Sequence, residues 1–176
     1  MVGIFGLTAK KYPDPIAATG PTDRFRDVGV DAQYQYVTDT HRFSGQIAYI
    51  REKQDLNGTF AADGSTNSSN RLNSLTSKVT YYYMTKYGVS LGYQRIGGDA
   101  DRGLYSTGAP VTGSASGRPD SRAAVVELDW LPWRDRRTTL QYTAYQKFNG
   151  ARTNYDGFGR NARDNNTLYL LTWFVF

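Results

Sequence analysis

The sequence predicts an all-β fold, with eight antiparallel strands in up-and-down order forming a single domain over residues 1–176. Three observations predict it. Segments of roughly ten residues alternate apolar and polar side chains, the pattern of a strand with one face in each environment. The joins between them alternate long and short. The composition favours pleated structure and turns, with 14 Tyr, 8 Phe, 3 Trp and 18 Gly in 176 residues. No run approaches the roughly 18 apolar residues of a spanning helix, so any membrane crossing must use strands. The chain has no cysteine, which excludes disulfides, thiolate metal sites and thiol catalysis.

The first strand is expected at 2–11. Its opening, Met1-Val-Gly-Ile-Phe-Gly-Leu, has no charged segment, long apolar core or cleavage site, so it reads as strand rather than secretion signal. The expectation is a mature protein behind an added Met1, or the C-terminal piece of a longer chain. The second strand, 25–37, sets Val28, Val30, Ala32, Tyr34 and Tyr36 on one face, and Asp27, Gly29, Asp31, Gln33 and Gln35 on the other. The third is expected at 41–53. In the fourth, 72–84, Leu75, Val79, Tyr81 and Tyr83 alternate with Ser74, Thr76, Lys78 and Thr80. The fifth is expected at 87–96. The sixth, 122–131, alternates Ala124, Val126, Leu128 and Trp130 with Glu127 and Asp129. The last two fall at 138–148 and 166–176. A soluble sandwich could also alternate; the joins separate the two.

The odd-numbered joins, 13–24, 54–71, 97–121 and 149–165, are long and rich in Gly, Pro, Asp, Asn and Ser. The even-numbered ones are tight: Thr38-Asp39-Thr40, Thr85-Lys86, and Pro132-Trp-Arg-Asp-Arg-Arg137. Outer-membrane barrels have short periplasmic turns and long extracellular loops. The parity therefore predicts a closed eight-stranded transmembrane β-barrel in a bacterial outer membrane, with both termini periplasmic. Tyr81, Tyr83, Tyr87, Trp130 and Trp133 cluster near the tight turns, where an interfacial aromatic belt is expected.

The final segment, Leu168-Tyr-Leu-Leu-Thr-Trp-Phe-Val-Phe176, resembles the C-terminal signature of bacterial outer-membrane barrel proteins. Leu168, Leu170, Phe174 and Phe176 match its alternating apolar pattern, and Thr172 interrupts it. The resemblance implies that the barrel-assembly machinery reads this strand. Glu127-Leu-Asp-Trp-Leu-Pro-Trp133 and Tyr155-Asp-Gly-Phe-Gly-Arg-Asn161 are similar to the final strands of larger proteobacterial porin-like barrels associated with multihaem cytochromes. That resemblance implies a cytochrome partner, which would have to bring its own haem because this chain has no attachment motif.

An eight-stranded barrel is just wide enough for side chains or one small ligand. Its expected inward set is Asp27, Asp31, Gln33, Gln35, Gln46, Glu52, Lys78, Gln94, Glu127, Asp129, Gln141, Lys147 and Tyr169. Charges there need partners. A lumen network of Asp27, Asp31, Glu52, Lys78, Glu127, Asp129 and Lys147 is therefore expected to plug the barrel, with a water-filled path as the alternative.

No enzyme, cofactor or metal site is expected. The single histidine, His41, follows a periplasmic turn, where it would be misplaced as a base for an extracellular substrate. Asp99-Ala-Asp-Arg-Gly103 has the opening spacing of a calcium loop but lacks the later acidic ligand. No phosphate-cradling glycine motif is present. The formal charge of +5 is scattered over loops and turns, which argues against nucleic acid. Arg102, Arg118, Arg122, Arg152, Arg160 and Arg163 are instead expected to meet lipid and lipopolysaccharide phosphates, while Arg134, Arg136 and Arg137 face periplasm. The expected function is an outer-membrane scaffold or anchor, with a porin-like channel as the alternative. A soluble lipocalin-like barrel would need the inverse placement of apolar and polar faces.

Overall fold

The computed structural model describes residues 1–106, 113–133 and 135–174. Eight strands form one sheet in the order β1-β2-β3-β4-β5-β6-β7-β8: β1 Val2–Lys11, β2 Asp23–Val37, β3 His41–Asp55, β4 Ser69–Tyr83, β5 Tyr87–Gly98, β6 Ser121–Trp133, β7 Arg136–Lys147 and β8 Thr167–Phe174. All neighbours are antiparallel, so every long join lies at one end and every tight turn at the other.

The sheet is not closed, in contrast to the barrel expected from the sequence. Among the described residues, β1 pairs only with β2 and β8 only with β7. Both edges leave apolar side chains uncovered. Phe5 and Leu7 of β1, and Leu171 and Trp173 of β8, point to the face that carries the charged network, and all four are more than a third exposed.

The turns follow local chemistry. Thr38 closes the β2–β3 turn by accepting from the His41 N–H at 3.0 Å. Met84 and Thr85 both adopt left-handed backbone between β4 and β5, the sense that matches strand twist in tight hairpins. Between β6 and β7 the strands run closer to the turn than expected, with Trp133 opposite Arg136. A register shift lies between Trp130 and Trp133, and Pro132 falls within it, where the ladder needs no donor.

The little apolar core that exists sits with the loops. Among the described residues the buried hydrophobic ones are Leu56, Ala123, Tyr155 and Ala162, and three of them lie outside the strands. A short helix α1 (Asn57–Ala61), a single turn α2 (Arg102–Tyr105) and a 3-10 turn at Ala162–Asn165 help build this cap. Asp23 accepts from the Gly58 and Thr59 N–H groups and the Thr59 hydroxyl, tying α1 to β2. Asp101 accepts from the N–H groups of Thr66, Asn67 and Leu104, the Thr66 hydroxyl and Asn70 Nδ2. The Ala115 N–H donates to the Tyr155 carbonyl, joining the third loop to the fourth. The long joins thus form one linked layer rather than separate solvated loops.

Candidate functional site

Opposed residues in an antiparallel ladder share a face, so the register sorts every strand residue. One face carries the expected polar set. Asp27 lies opposite Glu52; Asp31, Ala48, Thr76 and Gln94 form a row; so do Gln33, Gln46 and Lys78, and Gln35, Ser44, Thr80, Ser90, Glu127, Gln141 and Tyr169. Short side chains on this face are deeply shielded, with Ser90 2% and Thr139 4% exposed. Lys78 and Tyr82 of β4 reach across β5 to Glu127 and Asp129 of β6. Both facts mean that the sheet curls toward its polar face.

The opposite, convex face is apolar. One row runs Tyr34, Gly45, Val79, Leu91, Val126, Tyr142, Leu168, and the next runs Tyr36, Phe43, Tyr81, Val89, Leu128, Leu140, Leu170. Every large residue in these rows is at least 37% exposed. The protein is thus inside-out, with buried Asp, Asn, Ser and Thr and an exposed wall of Leu, Val and Tyr. Two adjacent apolar rows are thus exposed together from β2 to β8, where the largest apolar patch of an ordinary soluble monomer is about 300–600 Å².

Six of the seven residues of the expected charged network lie on the polar face, but they form separate groups. Lys78 pairs with Glu127. The Asp129 carboxylate accepts from Arg137 Nε and Nη2 at 3.0 and 2.9 Å, and from the Tyr82 and Thr139 hydroxyls. Arg137, expected among the cations facing periplasm, therefore turns to the polar face, which it shares with Thr139 two residues along β7. Sequence reading missed Tyr82, Thr139 and Arg137 as members of this group, although their even spacing from the expected inward positions Lys78 and Gln141 was the available signal. Asp27, Asp31 and Glu52 gather on the β2–β3 side, and no described cation pairs with them; Glu52 accepts from the Gln54 amide. Lys147 departs from the expected network. A register shift between Arg122 and Ala123 puts it opposite Arg122, and its ammonium meets Asp120 at 2.7 Å beside the loops.

At the tight-turn end of the convex face, His41, Tyr83, Tyr87, Trp130, Thr138 and Thr172 share one row, with Tyr81 one row inward. Trp133 lies beyond them against Arg136, whose guanidinium sits 5.0 Å from its ring. The expected aromatic positions are thus neighbours, all on one side and all exposed. Tyr82, between Tyr81 and Tyr83 in sequence, faces the other way. His41 Nδ1 lies 2.7 Å from the Tyr81 hydroxyl, and among the described residues no serine or carboxylate joins them. Leu168, Leu170 and Phe174 of the terminal strand all project from the convex face; Phe176 and Arg134 lie outside the described residues.

Asp99 and Asp101, the opening of the calcium-like spacing, are engaged by the backbone. Asp99 accepts from the Arg71 N–H, and Asp101 holds the second and third loops together. Burial raises the Asp101 pKa, but the hydrogen bonds from Thr66, Asn70 and Leu104 outweigh it and bring the carboxyl down to about 2. Among the described residues no group of three or more His, Cys, Asp or Glu side chains is placed to hold a metal. No family model, no curated protein and no solved structure matches this chain.

Proposed function

We propose that this chain is a transmembrane β-wall of a bacterial outer membrane, serving as scaffold or anchor, with its convex face in lipid and its linked loops outside the cell. The carrying observation is the inversion of the two faces: exposed apolar rows outside, shielded ions and hydroxyls within. Lipid supplies the apolar surroundings that water withholds; the bilayer's requirement for paired backbone is met inside the sheet, and at β1 and β8 it calls for further strands. Strands β2 to β7 have 12 to 15 residues each, enough for a tilted crossing of about 9–11 residues. The aromatic row at the tight-turn end matches headgroup depth.

The open edges support a barrel completed by strands beyond the described sheet rather than a β1–β8 seam. Further β-strands, from more chain or from a second copy, would pair with the unsatisfied backbone of both edges. Assembly through the terminal strand and a multihaem cytochrome partner remain parts of the proposal that rest on resemblance. A second reading, a pore wall, is favoured by Asp27, Asp31 and Glu52, whose uncompensated charge would select cations.

Site-directed tryptophan quenching tests the wall. Leu91→Trp on the convex face and Gln94→Trp on the polar face are each placed in a protein whose native tryptophans are replaced by Phe, then folded into vesicles of brominated phosphatidylcholine. Strong quenching at position 91 and weak quenching at 94 is expected. Equal quenching at both positions, or none at either, would overturn the reading.

A further inference from the structure

Above the apolar rows, toward the loops, the convex face changes character. Its rows there read Thr8, Arg26, Lys53, Arg71; then Gly6, Val28, Arg51, Asn73, Gly97; then Ile4, Val30, Tyr49, Leu75, Arg95, Arg122. Cations therefore cross the sheet diagonally on the loop side of the apolar wall, separated from it by the row of Ala32, Ile47, Ser77, Tyr93 and Ala124. Arg26 and Lys53 share Asp55. Arg51, Arg71 and Arg95 have no ion-pair partner among the described residues, and they line one groove of about 510 Å³ with Tyr49, Asn73 and Asp99. Asp120 also reaches the groove, but its carboxylate is held by Lys147 at 2.7 Å and by the Gly98 N–H at 3.2 Å. Three guanidinium groups thus face the one carboxylate of Asp99, which already accepts a backbone N–H at 2.8 Å.

We infer that this groove binds the phosphorylated headgroup of a lipid in the surrounding leaflet, with Arg51, Arg71 and Arg95 gripping phosphate. The inference rests on the membrane reading above, because the ligand's acyl chains would lie on the apolar rows below. Arginine suits the task, since its planar fork meets phosphate oxygens two at a time and stays charged at every accessible pH. The Tyr49 hydroxyl donates to Asn73 Oδ1 at 3.0 Å, which holds both polar groups at the base of the groove where sugar or glycerol oxygens would lie. The arginines that loop composition alone brings forward are different: only Arg122 lies in these rows, while Arg102, Arg118, Arg152 and Arg163 are exposed on the cap. A lipid is favoured over a soluble phosphate because the groove opens on the same face as the exposed wall and at its border.

The test compares the unaltered chain, the triple variant Arg51→Gln/Arg71→Gln/Arg95→Gln and the control Arg102→Gln/Arg152→Gln/Arg163→Gln. Each is folded in phosphatidylcholine vesicles doped with diphosphorylated lipid A or its dephosphorylated form, and lipid association is read with fluorescent lipid. The expected result is at least tenfold preference for the phosphorylated lipid in the unaltered and control proteins, lost in the triple variant. Retention of that preference in the triple variant, or equal loss in the control, overturns the groove. Full displacement by millimolar inorganic phosphate overturns the choice of lipid. Bromolipid quenching at Leu91→Trp is read on the same samples. Quenching without phosphate preference refutes the groove alone, whereas absent quenching refutes the wall and the groove with it.

Discussion

Removing the Asp129 carboxylate, by Asp129→Ala, tests whether the polar face is held by specific pairing. That side chain is fully shielded and accepts four hydrogen bonds, two of them from Arg137. Deleting one member of a shielded pair costs about 3–5 kcal/mol when the survivor cannot reach water. The Arg137 side chain is 42% exposed, so its guanidinium recovers part of its hydration and the expected loss falls to about 2–3 kcal/mol. The Tyr82 and Thr139 hydroxyls lose their acceptor as well, which keeps the cost above that of a surface pair. Urea unfolding of protein folded in vesicles, followed by circular dichroism, measures this. The double variant Asp129→Leu/Arg137→Leu should recover at least half the loss of Asp129→Leu alone, because no stranded charge remains. A loss below about 0.5 kcal/mol for Asp129→Ala would refute the pairing argument.

Leu91→Arg on the convex face should destabilise the vesicle-embedded protein by about 2–4 kcal/mol, and Gln94→Arg on the polar face by much less; equal costs would contradict lipid contact. Thr85→Gly should raise hairpin stability by up to about 1 kcal/mol, since a β-branched residue there holds a φ of 54°, and urea midpoints read the change. The Asp101 carboxyl is depressed from 3.8 to about 2, so its stabilisation is complete above pH 4 or so and is lost as pH falls through about 2. The difference amounts to about 2 kcal/mol, and hydrogen exchange at Thr66 and Asn67 should accelerate over that acid range while the strands stay protected. Gly103→Val should loosen the same contact, because a Cβ at 103 would lie 2.6 Å from Ser65 Cα, and limited proteolysis of the second loop reports it.

Strand identity was legible in the chain because period-two alternation and turn residues act locally. The eight strands fall where the alternation places them, with ends displaced by three residues or fewer, as in β4, which begins at Ser69 rather than 72. Side-chain direction follows from the same period, and Asp27, Asp31, Glu52, Lys78, Glu127 and Asp129 share one face of the sheet. Three features depended on how the strands pair. A one-residue register shift moves Lys147 out of its expected row, and only the pairing of β6 with β7 reveals the bulge. Arg137 joins Asp129 because the hairpin brings β7 against β6, whereas composition marked it as one more turn cation. Whether β1 meets β8 is a question of curl and stagger summed over the whole sheet, to which every interstrand step contributes. Alternation reports which way a side chain points and carries nothing about that sum, so the same eight-strand pattern is compatible with a closed barrel and with the open, curled wall seen here.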